Sequence, residues 1–127
     1  MKTEEVTLDN MAQKMIEALP ELKTAYDKEV AAWTKSQGAH VLFSFVLFDS
    51  LKPLLKVEEV DALLVQKIFA FVELLAKHPD EKVQEVVYFS VCENICADEI
   101  VLQKAQHFMG KKTREFCELI IKMQKQN

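Results

Sequence analysis

The sequence predicts an all-α protein, a single-domain bundle of six or seven helices around a central apolar helix. Three observations carry that reading. With two glycines and three prolines in 127 residues, the chain lacks the tight-turn residues of an all-β fold. Lys, Glu, Gln, Leu, Ala and Met, all good helix formers, are plentiful. One stretch, HVLFSFVLFDSLKPLL from His40 to Leu55, is far more apolar than the rest, with Ser44 the one polar residue between Val41 and Phe48. A helix that is apolar all round is buried on every side. Val41–Phe48, Phe45 included, is therefore expected at the centre, with amphipathic helices packed about it. Half of the residues are hydrophobic, enough for one real core, and residues 1–127 read as one domain.

Each element has a local reason. The first helix follows Thr7, whose hydroxyl suits the free N–H groups of a first turn. Met11, Met15 and Leu19, at spacing four, form its buried stripe, with Leu8 and Ile16 at the edges. Pro20 ends it and opens a second helix to about Gln37, with Leu22, Tyr26, Val30 and Trp33 on one inward face. Gly38 is expected to end that helix in a left-handed conformation. Val41–Phe48 would suit a strand by residue type, but no second segment is available to pair with it. Pro53 is expected to close the central helix near Leu51, because the residue before a proline avoids the helical region.

The fourth helix, from Glu58 to Lys77, repeats Val60, Leu64, Ile68, Phe71, Val72 and Leu75 at three and four. Glu58, Glu59 and Asp61 fall in its first turn, where the helix dipole favours negative charge. Asp80 is placed to cap a fifth helix, Glu81 to Ala97, that turns Val83, Val87, Val91 and Ile95 inward. Asp98 caps a short sixth, Glu99 to Phe108. After Gly110 the last helix, Thr113 to Lys125, is expected to bury Phe116, Ile120 and Met123.

Charge and thiols bound the function. Residues 1–109 carry 18 acidic and 11 basic side chains, and residues 110–127 carry two and five. An acidic body argues against direct nucleic-acid binding, which needs a basic face, and suits a basic protein partner. Three cysteines cannot all pair within one chain, so they read as reduced thiols in a cytoplasmic protein. The N-terminus has no apolar run of a signal peptide, and Val41–Phe48 is too short to span a bilayer, so no membrane association is expected.

No catalytic, metal or cofactor signature stands out, and the chain is not expected to be an enzyme. His40, His78 and His107 lie on different elements. Cys92 and Cys96 share a helix face, which fits two buried small residues better than zinc ligands. Cys117 with His107 lacks the elbow and orienting group of a nucleophile. Partner binding has better candidates. Asp49 follows the apolar run and is either paired with Lys52, free in solvent at a helix end, or at the rim of a functional surface. Glu93, Asn94, Asp98 and Glu99 form an acidic corner, either a solvated face or a dock for a basic partner. Trp33 ends an inward stripe and reads as core, whereas Tyr88 lies one step off its stripe and reads as a contact residue.

The stretches ALPELKTAYDKEV, HVLFSFVLFDSL, DEKVQEVVYFSVCENI and GKKTREFCELI, in this order, resemble an uncharacterised family of small, acidic, all-helical bacterial proteins. That family includes immunity proteins encoded beside secreted polymorphic toxins, contact-dependent growth-inhibition toxins among them. The resemblance runs from about Leu19 to Ile120. It implies a cytoplasmic protein that neutralises a cognate toxin domain by tight protein–protein binding, with no cofactor. It supplies no functional residues, so Asp49, Tyr88, Glu93, Asn94, Asp98 and Glu99 stand on the residue reading alone. The alternative is a helical adaptor that binds some other cytosolic protein, which shares every intrinsic feature above.

Overall fold

A Thr7–Asn10 turn opens the fold. Asn10 Oδ1 accepts the Thr7 N–H at 2.7 Å, Thr7 Oγ1 accepts the Asn10 N–H at 3.2 Å, and helix α1 (Met11–Ala18) follows. The computed structural model describes residues 5–33, 38–57 and 61–126. Seven helices are present among them, with no strand. After α1 and a 3-10 turn (Pro20–Leu22) come α2 (Lys23–Ala32), α3, α4 (Ala62–Ala76), α5, α6 (Glu99–Ala105) and α7 (Lys111–Lys125). Helix α3 is continuous but composite: an α turn (Ala39–Leu42), a π segment (Phe43–Phe48), then α again (Asp49–Lys56). Helix α5 repeats the pattern with Glu81–Val86, a π segment Val87–Cys92, and Glu93–Cys96.

Helix α3 is the centre, packing against α1, α2, α4, α5 and α6. Phe43, Val46, Leu47, Leu51 and Leu55 are fully buried, and the Phe43 ring stacks on Phe71 of α4 at 6.3 Å. The other stripes fall where periodicity puts them. Met11, Met15 and Leu19 are buried, as are Ile68, Phe71, Val72 and Leu75, then Val83, Val87, Val91 and Ile95. Asp61, Asp80 and Asp98 each accept backbone N–H groups as N-caps of α4, α5 and α6.

Several expectations are corrected. Phe45 is 47% exposed: a solid apolar run hides which of its faces looks outward, and only the packed neighbours decide. Trp33 and Val30 are 45% and 43% exposed. Of the four residues of the expected face, Leu22 of the 3-10 turn is buried and Tyr26 packs against the core, while the Trp33 indole donates to Glu29 Oε1 at 2.7 Å instead. Gly38 is extended (φ −76°, ψ 169°) and precedes α3 as its N-cap rather than ending α2 in a left-handed turn. Pro53 lies inside α3, which continues to Lys56. Met123 is 58% exposed. Thr34, Lys35, Ser36 and Gln37 of the expected second helix, and Glu58, Glu59 and Val60 of the fourth, lie outside the described residues.

The two π segments pack on each other, and a polar ladder crosses between them. His40 Nδ1 and Ser90 Oγ share a hydrogen bond of 3.0 Å; Asn94 Nδ2 donates to Ser44 Oγ at 3.1 Å and to Ser90 O at 2.8 Å. Residue 40 pairs with 90 and 44 with 94, so α3 and α5 run parallel. In parallel right-handed helices, the residue after a contact on one helix and the residue before it on the other emerge on the same side. Val41 and Phe45 therefore share a side with Phe89 and Glu93.

A candidate protein-binding face

Helix α5 carries its outward stripe in the sequence itself: Glu81, Glu85, Phe89 and Glu93, at spacing four, are all exposed. Beside it lies α7, and between the two runs a shallow groove. The Tyr88 and Phe89 rings meet edge to face at 4.9 Å in its floor. Tyr88 also packs edge-on against Phe116 at 5.6 Å, and its hydroxyl lies 3.8 Å from Met123 Sδ. This ring pair separates two hollows. One, of about 390 Å³, is bounded by Glu81, Gln84, Glu85 and Phe116; the other, of about 280 Å³, by Glu93, Ile120, Met123 and Gln124. Lys112 Nζ stands 5.4 Å over the Phe116 ring at one end.

The carboxylates here are open. Among the described residues, the ion pairs join Lys14–Glu17, Lys23–Asp27, Lys56–Asp98, Lys67–Glu21 and Lys112–Glu115, and none involves Glu81, Glu85 or Glu93. The face continues onto α3 through Phe45 and Asp49, one turn apart. Burial raises the Asp49 carboxyl above its ordinary range, Lys52 opposes that, and the neighbouring Glu29 of α2 adds to it. Exposed aromatics and open acids thus occupy one side of the bundle, where water-exposed apolar area is costly unless something covers it.

The expected contact residues divide. Tyr88 and Glu93 line the groove, and Asp49 lies on the adjoining face. Asn94 turns inward into the polar ladder. Asp98 caps α6 and pairs with Lys56 at 2.7 Å, and that hydrogen-bonded partner holds its carboxyl below the usual range. Glu99 is exposed in the first turn of α6. The acidic corner is therefore split by the fold. Sequence reasoning passed over Glu81, Glu85 and Phe89, although their four-residue spacing with Glu93 was the available signal.

His107 and Cys117 line one hollow with Met109 and Glu118. Hydrogen bonding with Cys92, with burial added and Cys96 opposing, pushes the Cys117 thiol up to about 12, away from a thiolate nucleophile. The Cys96 thiol is pushed up as well, by its hydrogen bond with Cys117 and by burial. Among the described residues, no group of three or more His, Cys, Asp or Glu side chains is placed to hold a metal. No described helix is long and apolar enough to cross a membrane.

Comparison with curated proteins and with solved structures found no match. A family model does match, over residues 12–125, which covers all seven helices but the first residue of α1. The chain therefore belongs to the family described as a domain of unknown function, DUF7674.

Proposed function

We propose that this protein works by binding another protein across the α5–α7 groove and the adjoining α3 face, and that the bound protein is a cognate toxin domain which it neutralises. The observation that supports binding is the coincidence on one side of Phe45, Phe89 and Met123, each about half exposed, with the open carboxylates of Glu85 and Glu93. Aromatic and Met side chains anchor interface centres, and polar or charged groups form the rim around them. The toxin half of the reading comes from the resemblance of four stretches of the chain to an uncharacterised family that includes immunity proteins. An inhibitor of that kind needs a rigid scaffold and a complementary surface, and it needs no nucleophile. An acidic surface steers a basic partner into contact.

The test is co-expression with the toxin domain encoded immediately upstream, read by growth rescue and by binding kinetics on the purified pair. Rescue is expected, with association slowing as salt rises and dissociation changing less. A folded protein that neither rescues nor binds would rule out the immunity reading and leave a helical adaptor for another protein.

A further inference from the structure

We infer that the groove is a receptor for two cationic side chains of the partner, arginine in preference to lysine, one on each side of the Tyr88–Phe89 pair. This rests on the reading of the face as a protein-binding site and names the chemistry of what it binds. Each hollow combines the same two features: a wall of aromatic ring and a rim carboxylate with no partner among the described residues. Glu81 and Glu85 rim one; Glu93 rims the other. A purely apolar occupant would strip water from these carboxylates and return nothing. An anion would be repelled. A cation on an aliphatic stem satisfies both surfaces at once, its stem against the rings and its head on the carboxylate.

Arginine fits better than lysine because its planar guanidinium stacks on a ring while its edge forks onto a carboxylate; an ammonium is compact and more strongly hydrated. The molecule already holds a cation on this lining, with Lys112 Nζ 5.4 Å over the Phe116 ring. A second copy of the chain is the poorer occupant. Set groove to groove, two copies would bring the carboxylates of Glu81, Glu85 and Glu93 against one another.

The experiment titrates a short alanine-based peptide bearing two arginines two helical turns apart, the spacing of Glu85 and Glu93 on α5, into the full chain, with lysine and citrulline analogues, and follows backbone amide shifts by NMR. Shifts are expected at Glu85, Tyr88, Phe89 and Glu93. Citrulline, which keeps the shape and loses the charge, should weaken binding about tenfold, with lysine between. Phe89→Leu, which keeps an exposed apolar side chain and removes the ring, should weaken the arginine peptide several-fold. Glu85→Gln with Glu93→Gln should flatten its salt dependence. Citrulline binding as well as arginine, shifts centred elsewhere, or no shift at about 10 mM peptide would each overturn the inference. If the peptide fails while the upstream toxin domain still binds and Phe89→Ala abolishes that binding, the arginine assignment falls and the protein-binding reading stands. If the toxin domain binds regardless of Phe89→Ala, both the groove and its ligand are wrong.

Discussion

Helix α7 packs on α4 and α5, and these two treat glutamate in opposite ways. Towards α4 the glutamate is fully partnered. Glu73 of α4 reaches the N-terminus of α7, where its carboxylate accepts the backbone N–H groups of Lys112 and Thr113, both at 2.9 Å, and the Thr113 hydroxyl at 2.8 Å. Gly110 leaves the room; a Cβ there would run into the Glu73 carboxylate. Thr113 is fully buried. Two residues before Glu73, Phe71 stacks on Phe43 of the central helix. Towards α5 the side chains of the same chemical types are left open: Glu85, Glu93 and Phe89 face water. A glutamate that serves the fold is recognised by its donors, and a phenylalanine by its neighbours. Where both lack them on one face, the fold does not explain them.

The largest effect that sharpens this contrast lies within the apolar run. Phe43→Ala should cost about 3–5 kcal/mol, because a fully buried ring is lost and a cavity remains. Phe45→Ala, two residues away and half exposed, should cost less than about 1 kcal/mol. Chemical denaturation of both variants checks it. Equal losses would mean that the outer face is packed as firmly as the core.

That pair also marks how far the sequence could be read. Seven helices, the Asp80 and Asp98 caps and the Met11–Met15–Leu19 stripe were legible because each is written in local spacing; Asp61, expected within the first turn of its helix, is its N-cap instead. Phe45 was not, since no polar residue but Ser44 interrupts the run to show which side faces out. Trp33 misled because a correct helical face does not say how far along the helix its cover extends. On the candidate face, the place of Tyr88 one step off the buried stripe was legible, whereas Glu93 was picked out only as part of an acidic corner that the fold splits. Asn94 and Asp98 were claimed by Ser44 and Lys56, residues some forty to fifty positions away, and no local pattern encodes that.

The next effect is the closed junction. Glu73→Ala strips three donors, one of them a buried hydroxyl, and should cost about 2–3 kcal/mol. The same carboxylate sets an acid limit. Burial raises its pKa, but the N–H groups of Thr113 and Lys112 and the Thr113 hydroxyl outweigh that and hold it below the ordinary value of 4.5. A folded-state pKa below the unfolded one stabilises above the unfolded value, and that contribution is lost as pH falls through the folded one. The stability gap between the natural protein and Glu73→Gln should therefore be full near neutrality and shrink as pH drops below about 4.5. A gap that stays constant down to strong acid would show that the carboxylate charge does not hold α7 in place.

The smallest effect is the most telling for the open side. Glu85→Gln with Glu93→Gln removes two charges that have no ion-pair partner among the described residues, so unfolding stability should stay within about 0.5 kcal/mol of the natural protein. The sign should be slightly stabilising. Glu81 and Glu85 are like charges one turn apart on α5, and relieving such a pair gains about 0.2–0.5 kcal/mol in an isolated helix. That gain should fade as salt screens the repulsion. A loss above about 1 kcal/mol would mean that these carboxylates hold structure as Glu73 does. The groove would then be one more closed junction, and its glutamates would no longer point to a partner.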